Sequence, residues 1–410
     1  MLLLVNSIIG AGIFGLPQKL FALTGVYSLA AFVVCALMVL LFVLCFAEVS
    51  SRFDATGGPY LYVRTAFGPT AAFVTGWLLL WSRIFNYATL INLLVTYAVS
   101  FFAGAEAPLW RAAIITVITL ALAWVNYSGI KNTTWVSSTL TIAKLLPLLL
   151  FIIGGLFFLD AKAFQPQGVP TFSRFSEAVL LLVFAFGGFE SVLVTGGEIQ
   201  APRKALPQAL MWATAVVAFV YIGVQIVCIG TLPQLGTAQK PVADAAALMV
   251  GPTGALLISL GVLISITGTL NVLLLSGSRL PYAFAEQGQL PAVFTRLHPV
   301  HRTPGVSLAV VTVLTIIVSI GWSFITALTI GAIIRVLVYA AVCATLIRLR
   351  QQQHNHTPFF KLRYGVLFAV VGLLLAVWML GAATTKELRD VSICVALGLL
   401  LYILVGKKNA

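Results

Sequence analysis

Long apolar runs, separated by short polar connections, recur from one end of this chain to the other. Most approach the ~20 residues that carry a helix across a hydrocarbon core of about 30 Å. Twelve spans follow from the pattern, at roughly 1–24, 26–49, 70–103, 111–130, 134–159, 176–196, 208–230, 252–286, 305–320, 323–347, 364–382 and 391–406. The spans at 70–103 and 252–286 are long enough to need tilt or extension beyond the bilayer. The stretch 305–347 is nearly continuous, and Gly321-Trp322-Ser323 is its expected tight turn. The pattern predicts an all-α, polytopic membrane protein.

Composition narrows the class without changing it. The chain has 410 residues, 60 % hydrophobic and 9 % charged, against roughly 25 % charged in soluble domains. Its mean hydropathy is +1.07, and a single signal peptide cannot account for apolarity spread over the whole length. Cys35, Cys45, Cys228, Cys343 and Cys394 all fall inside apolar runs, which reads as packing or lipid contact, not a disulfide framework. The four histidines lie in polar connections with no acidic or cysteine partners nearby, so neither a metal nor a cofactor is expected.

The net charge of +13 is mainly topology. With the N-terminus inside, fourteen lysines and arginines fall in cytoplasmic connections and six in outer ones, the bias that the positive-inside rule requires. Both termini are therefore expected in the cytoplasm, with the protein in a plasma (inner) membrane. No basic, aromatic-interleaved soluble segment is present to bind nucleic acid. The remaining four cations, Lys19, Arg83, Lys144 and Arg335, fall inside spans.

Two spans contain helix-weakening residues. "NSIIGAGIFGLP", residues 6–17, holds three glycines and ends in proline, and "VLLLVFAFGGFESVLV" places Gly187-Gly188 two residues before Glu190. In lipid, backbone leaves the helix only where protein or a watery cavity satisfies its polar groups; packing through small residues is the simpler alternative. The two spans are the first members of two sets of five, and interrupted helices at corresponding positions point to an inverted-repeat transporter site. Half-helix N-termini can hold an anionic group and unwound carbonyls a cation, which suits a zwitterionic α-amino acid.

The first of these segments, "IIGAGIF", and three others together resemble the amino acid–polyamine–organocation (APC) superfamily of permeases over essentially the full length. The others are "AEVSSRFDATGGPYLYVRTAFG" (47–68), "FAFGGFESVLVTGGEIQAPRKALPQA" (184–209) and "GSRLPYAFAEQGQLPAVFTRLHPVHRTP" (277–304). The resemblance implies a LeuT-type 5+5 inverted repeat plus two C-terminal helices: 1–159, 160–350 and 351–410, with helices 1 and 6 interrupted. It implies substrate-carboxylate contacts at the backbone of Ala11 and Gly12, and amine contacts at the carbonyls of Ile8, Phe184, Ala185 and Gly187. Phe184 matches an aromatic gate position, and Glu190 an acidic position tied to substrate or proton-dependent gating. Lys144 matches the lysine that stands in for a sodium ion in sodium-independent members. It is either a coupling group that exchanges a proton during the cycle or a permanent structural tie.

Charges at bilayer depth cost upward of roughly 2.5 kcal/mol and mark function or a paired structural site. For Arg83 and Arg335 the expected counter-charge is Glu190, because Glu48 and Glu198 belong near cytoplasmic ends. Either both arginines are structural, or one faces the cavity and receives a substrate side-chain carboxylate. Three central cations against one acid argue against a cationic substrate and leave neutral and acidic amino acids. On the inner side, Glu198, Arg203 and Lys204 with Arg279 and Glu286 form a candidate ion-pair gate, or a solvated loop face. Members of the superfamily carry a polar segment before helix 1, whereas Met1 here leads directly into "LLLVNS". That opening implies either a start downstream of the true one or a curtailed inner half of helix 1.

An intramembrane enzyme would need a catalytic pair at depth, and the spans hold no histidine and no mid-span aspartate. A channel would need a continuous polar-lined pore. Residues 194–204, "VTGGEIQAPRK", lack the lysine-serine or lysine-threonine of a nucleotide loop, so energy comes from gradients or exchange. The expectation is a sodium-independent secondary transporter of neutral L-amino acids, by proton symport or exchange. Acidic substrates or export are the alternatives, and a non-transporting scaffold is the remaining one. The expected partners are the amino acid, protons and the bilayer; oligomeric state is not legible.

Overall fold

The computed structural model describes residues 2–10, 12–54, 57–99, 107–128, 133–166, 168–194, 199, 201–352 and 357–405. Its regular structure is helical: α1 (Leu2–Ile8), α2 (Gly12–Thr24), α3 (Ser28–Ser50), α4 (Pro59–Phe67), α5 (Pro69–Val99), α6 (Pro108–Tyr127), α7 (Thr133–Gly155) and α8 (Phe172–Phe186). The chain continues through α9 (Phe189–Val194), α10 (Pro202–Thr231), α11 (Pro241–Val250), α12 (Pro252–Glu286), α13 (Gly305–Gly321), α14 (Phe324–Gln351), α15 (Gly365–Gly381) and α16 (Thr385–Val405). Seven segments of the described chain are long and apolar enough to cross a bilayer, and α11, α13 and α15 are shorter apolar helices. The protein is thus an integral membrane protein of helical build.

Local chemistry sets the ends. Proline opens α4, α6, α10, α11 and α12, where its missing N–H has no intrahelical partner to lose. Gly68 (φ 86°) and Gly251 (φ 75°) turn the chain between α4 and α5 and between α11 and α12. The expected turn at 321–323 falls where α13 ends, and Ser323 Oγ then accepts the Thr326 N–H to start α14.

α5 is the central post. Its most apolar window is 94 % buried, whereas those of α6 and α16 are each 17 % buried. α14, α12, α13 and α4 pack around α5, α10 packs on α3, and α2 and α3 pack on α8. Outward-facing Trp124, Leu150, Phe219 and Leu374 remain exposed. So broad an apolar girdle suits lipid, not water.

Two charge assignments change. Glu48 sits in the last turn of α3 yet is 0 % exposed. Its Oε1 accepts from Arg350 Nε (2.8 Å) and Arg52 Nη2 (3.3 Å), and its Oε2 from Arg350 Nη2 (2.5 Å) and Leu362 N–H (2.9 Å). Arg52 and Arg350 are therefore parts of a buried knot, not loop charges alone. The second concerns two members of the candidate inner gate, whose described partners are other groups. Arg203 donates to the carbonyls of Ser51 (2.9 Å) and Thr357 and lies 3.8 Å from Asp54, while Glu286 accepts the Tyr282 hydroxyl (2.6 Å). Arg203 thus sews α10 to the connections after α3 and α14; Glu198 lies outside the described residues.

Candidate functional site

The first glycine-rich segment is a true interruption: α1 closes at Ile8, with Ile9 N–H on Val5 O (2.9 Å), and α2 begins at Gly12. A helix end leaves carbonyls without partners. Lys144, buried on α7, donates its ammonium to two of them, Asn6 O and Ile9 O, each at 2.8 Å. A cation is thereby built into the C-terminal end of the half-helix, where the backbone dipoles favour one.

The second interruption lies at Gly187-Gly188, between α8 and α9. The two breaks cross in direct contact. A Cβ on Gly12 would lie 2.7 Å from Ala185 Cβ, and one on Gly188 (φ 120°) would lie 2.1 Å from Ser7 O. Tyr221 on α10 spans the crossing, its hydroxyl 3.1 Å from Ile8 O and 3.0 Å from Ala185 O. Small residues therefore serve the approach of backbone to backbone, which was the alternative reading of the glycine pattern, at a site where both helices are also interrupted.

Glu190, 1 % exposed, opens α9. Its Oε2 accepts Gly188 N–H (2.9 Å) and the Tyr339 hydroxyl (3.4 Å), and its Oε1 accepts Arg335 Nε (3.1 Å). Arg83 Nη1 lies 3.9 Å from the same Oε1 and donates to Ser191 Oγ. Both mid-span arginines thus converge on the one acid the sequence offered them. Arg335 also donates Nη1 to Phe184 O (2.9 Å), with its guanidinium carbon 5.7 Å from the centre of the Phe184 ring.

Beside the crossing is a cavity of about 30 Å³, room for a water or two. Ile8, Gly12, Phe184, Ala185, Gly187 and Arg335 line it. Glu190, Lys144 and Arg83 do not; they hold the wall from behind. Ala11 lies outside the described residues. Phe186 turns away and packs edge-on against Tyr221 at 5.2 Å.

A family model described as amino acid permease matches residues 1–404. The chain belongs to the amino acid permease family. Similar proteins include the serine/threonine exchanger SteT of Bacillus subtilis, 30 % identical over 320 residues, 75 % of this chain and 72 % of that one. The methylthioribose transporter of the same organism is 27 % identical over 436 residues, 100 % of this chain and 92 % of its own. An arginine/agmatine antiporter of Chlamydia felis is 27 % identical over 441 residues, 99 % of this chain and 89 % of its own. These relatives are named as transporters, not enzymes.

Two features of the permease's site depart from the sequence reading. Three of the four carbonyls expected to meet a substrate amine already face protein donors: Ile8 and Ala185 share the single hydroxyl proton of Tyr221, and Phe184 accepts from Arg335. A carbonyl has two lone pairs, so Tyr221 leaves room for a second donor. At Phe184 O the second donor would be an ammonium beside a guanidinium, which like charge opposes. The other departure is Asn86, which lines the cavity with a buried Oδ1 that has no hydrogen-bond partner. Neither Asn86 nor Tyr221 stood out in the sequence. Each is one polar residue in an apolar span, and only the helix crossing shows which face it takes.

Proposed function

We propose that the chain is a sodium-independent secondary transporter of α-amino acids, working by alternating access in the plasma membrane with both termini inside. The carrying observation is the crossing of two interrupted helices with Lys144 fixed on the open carbonyls of the first. The ammonium supplies the charge that a sodium ion would otherwise bring to those carbonyls. The proposed frame is the LeuT-type repeat, with helices 1–5 in 1–159, helices 6–10 in 160–350 and two further helices in 351–410. Its support is that each half begins with a broken helix.

In this reading the substrate carboxylate meets backbone N–H groups at the start of α2, around Ala11 and Gly12. The amine meets the Gly187 carbonyl and Asn86 Oδ1, and Phe184 covers the bound molecule. Coupling is by proton symport or exchange through Lys144. SteT is named for hydroxylated neutral amino acids and the Chlamydia protein for cationic ones, so the relatives' names do not select a side chain. The test is counterflow in liposomes loaded with mixed unlabelled amino acids, with ion gradients collapsed and sodium replaced by choline. Entry of labelled leucine, methionine, serine or glutamate, saturable and unchanged by sodium, is expected. Sodium-dependent entry would overturn the role given to Lys144, and no entry of any label would overturn amino acid transport.

A further inference from the structure

Charge around the cavity does not balance. Arg83, Arg335 and Lys144 are buried at 2–3 % exposure, and among the described residues the carboxylate within reach of the two arginines is Glu190. The other buried carboxylate, Glu48, is held by Arg52 and Arg350. Glu190 therefore answers one of the two arginines that touch it. Arg335 directs Nε to Glu190 and Nη1 to Phe184 O, and the described residues offer no hydrogen bond to its Nη2. Arg83 Nη2 is buried with no partner.

Arg335 is the cation that reaches the cavity wall. Glycine at 187 makes that possible, because a Cβ there would lie 2.0 Å from Arg335 Nη1. A guanidinium with a free N–H2 group can donate to a carboxylate oxygen. A zwitterion with a neutral side chain leaves the excess positive charge in place, and a cationic side chain increases it. An acidic side chain removes part of it. In a site screened from water, an unanswered charge is costly.

We infer that the permease selects α-amino acids with a second carboxylate, and that Arg335 receives that carboxylate. This rests on the transport reading above and names its substrate class. The experiment is counterflow by the full chain in proteoliposomes, with labelled glutamate, aspartate, glutamine, asparagine, leucine and serine compared at equal concentration. Glutamate and aspartate are expected to exchange about ten- to a hundredfold faster than their amides, the worth of one hydrogen bond to a charged group. Arg335→Gln leaves Glu190 facing Arg83, 3.9 Å away, and is expected to bring the exchange rates of glutamate and glutamine to parity. Arg335→Lys is expected to keep the preference in weakened form. Exchange of neutral amino acids without the acidic ones would overturn this inference and leave the transport reading intact. An acid preference that survives in Arg335→Gln would overturn the role of Arg335. No exchange of any label would overturn both readings.

Discussion

Glu48→Gln changes one atom in the cytoplasmic knot and is expected to be among the most destabilising conservative substitutions in the chain. All four groups on the carboxylate are donors: Arg350 through Nε and Nη2, Arg52 through Nη2, and the Leu362 N–H. A glutamine keeps one acceptor and turns the other into an N–H2 group. On either side that group would face two donors, and two guanidiniums would lose their counter-charge. Glu48 is 0 % exposed, and the side chains of Arg52 and Arg350 are 6 % and 17 % exposed, so water cannot take over. Removing one member of a buried pair costs about 3–5 kcal/mol. The exposed Arg389–Asp390 pair, with side chains 64 % and 29 % exposed, is the internal control. Asp390→Asn is expected to change stability by about 0–1 kcal/mol. Both variants would be compared with the parent by denaturant unfolding in mixed micelles. Equal stability of Glu48→Gln and Asp390→Asn would show that the knot is not an energetic tie, and the argument from donor count would fail.

Three further outcomes follow from the crossing. Gly188→Ala puts a Cβ 2.1 Å from Ser7 O at φ 120°, so folded yield on size exclusion is expected to collapse. Gly321→Ala, where a Cβ meets nothing within 4 Å, is expected to behave like the parent; equal yields would refute the close approach. Tyr221→Phe leaves the Ile8 and Ala185 carbonyls without their shared donor, at about 1–3 kcal/mol, read as lower unfolding stability, and no change would mean that the bridge is dispensable. Lys144→Met keeps the length and loses two hydrogen bonds to a charged group, about 1.5–3 kcal/mol each, but also removes a buried ion whose desolvation costs several kcal/mol. These nearly cancel in stability, so a folded protein is expected whose counterflow falls well below the parent's; full counterflow would remove Lys144 from the transport cycle.

Period and punctuation carried most of the fold. The apolar spacing placed α12 at 252–286 to the residue and put the α13–α14 turn within 321–323, because proline, glycine and serine mark those ends chemically. The breaks at 9–11 and 187–188 were legible for the same reason. What could not be read was which helix faces which. Arg83, Glu190 and Arg335 lie more than 100 residues apart along the chain, and scarcity of acids in the spans was the only hint that they meet. Glu48 shows the opposite failure. Its place at a helix end made solvation the natural expectation, but the connection after α14 folds back over it, with Phe359 N–H on Ser51 O (3.3 Å) and Leu362 N–H on the carboxylate. Tertiary return of a loop leaves no mark on local sequence pattern.

The two charge clusters share one helix. Arg335 and Arg350 both belong to α14, 15 residues and therefore about 22 Å apart along the axis. Between them Tyr339 packs against Phe42 (5.3 Å) and Phe46 (5.4 Å) of α3, the helix that ends in Glu48. α3 and α14 are thus fastened twice, by aromatic packing at mid-height and by the buried ions at the end. Arg335 is differently placed, because its partners Phe184 O and Glu190 lie on the two sides of the α8–α9 break. A cavity of about 30 Å³ admits an amino acid only if its walls separate. The break that Arg335 spans is one of the two interrupted helices in the wall. Widening at Gly187-Gly188 breaks hydrogen bonds of Arg335 and Tyr221, whereas separating α3 from α14 would expose two arginines and a carboxylate at once. On the balance of those costs, movement under substrate is expected at the glycines, with α3 and α14 staying together; a crosslink between α3 and α14 that stops counterflow would refute this.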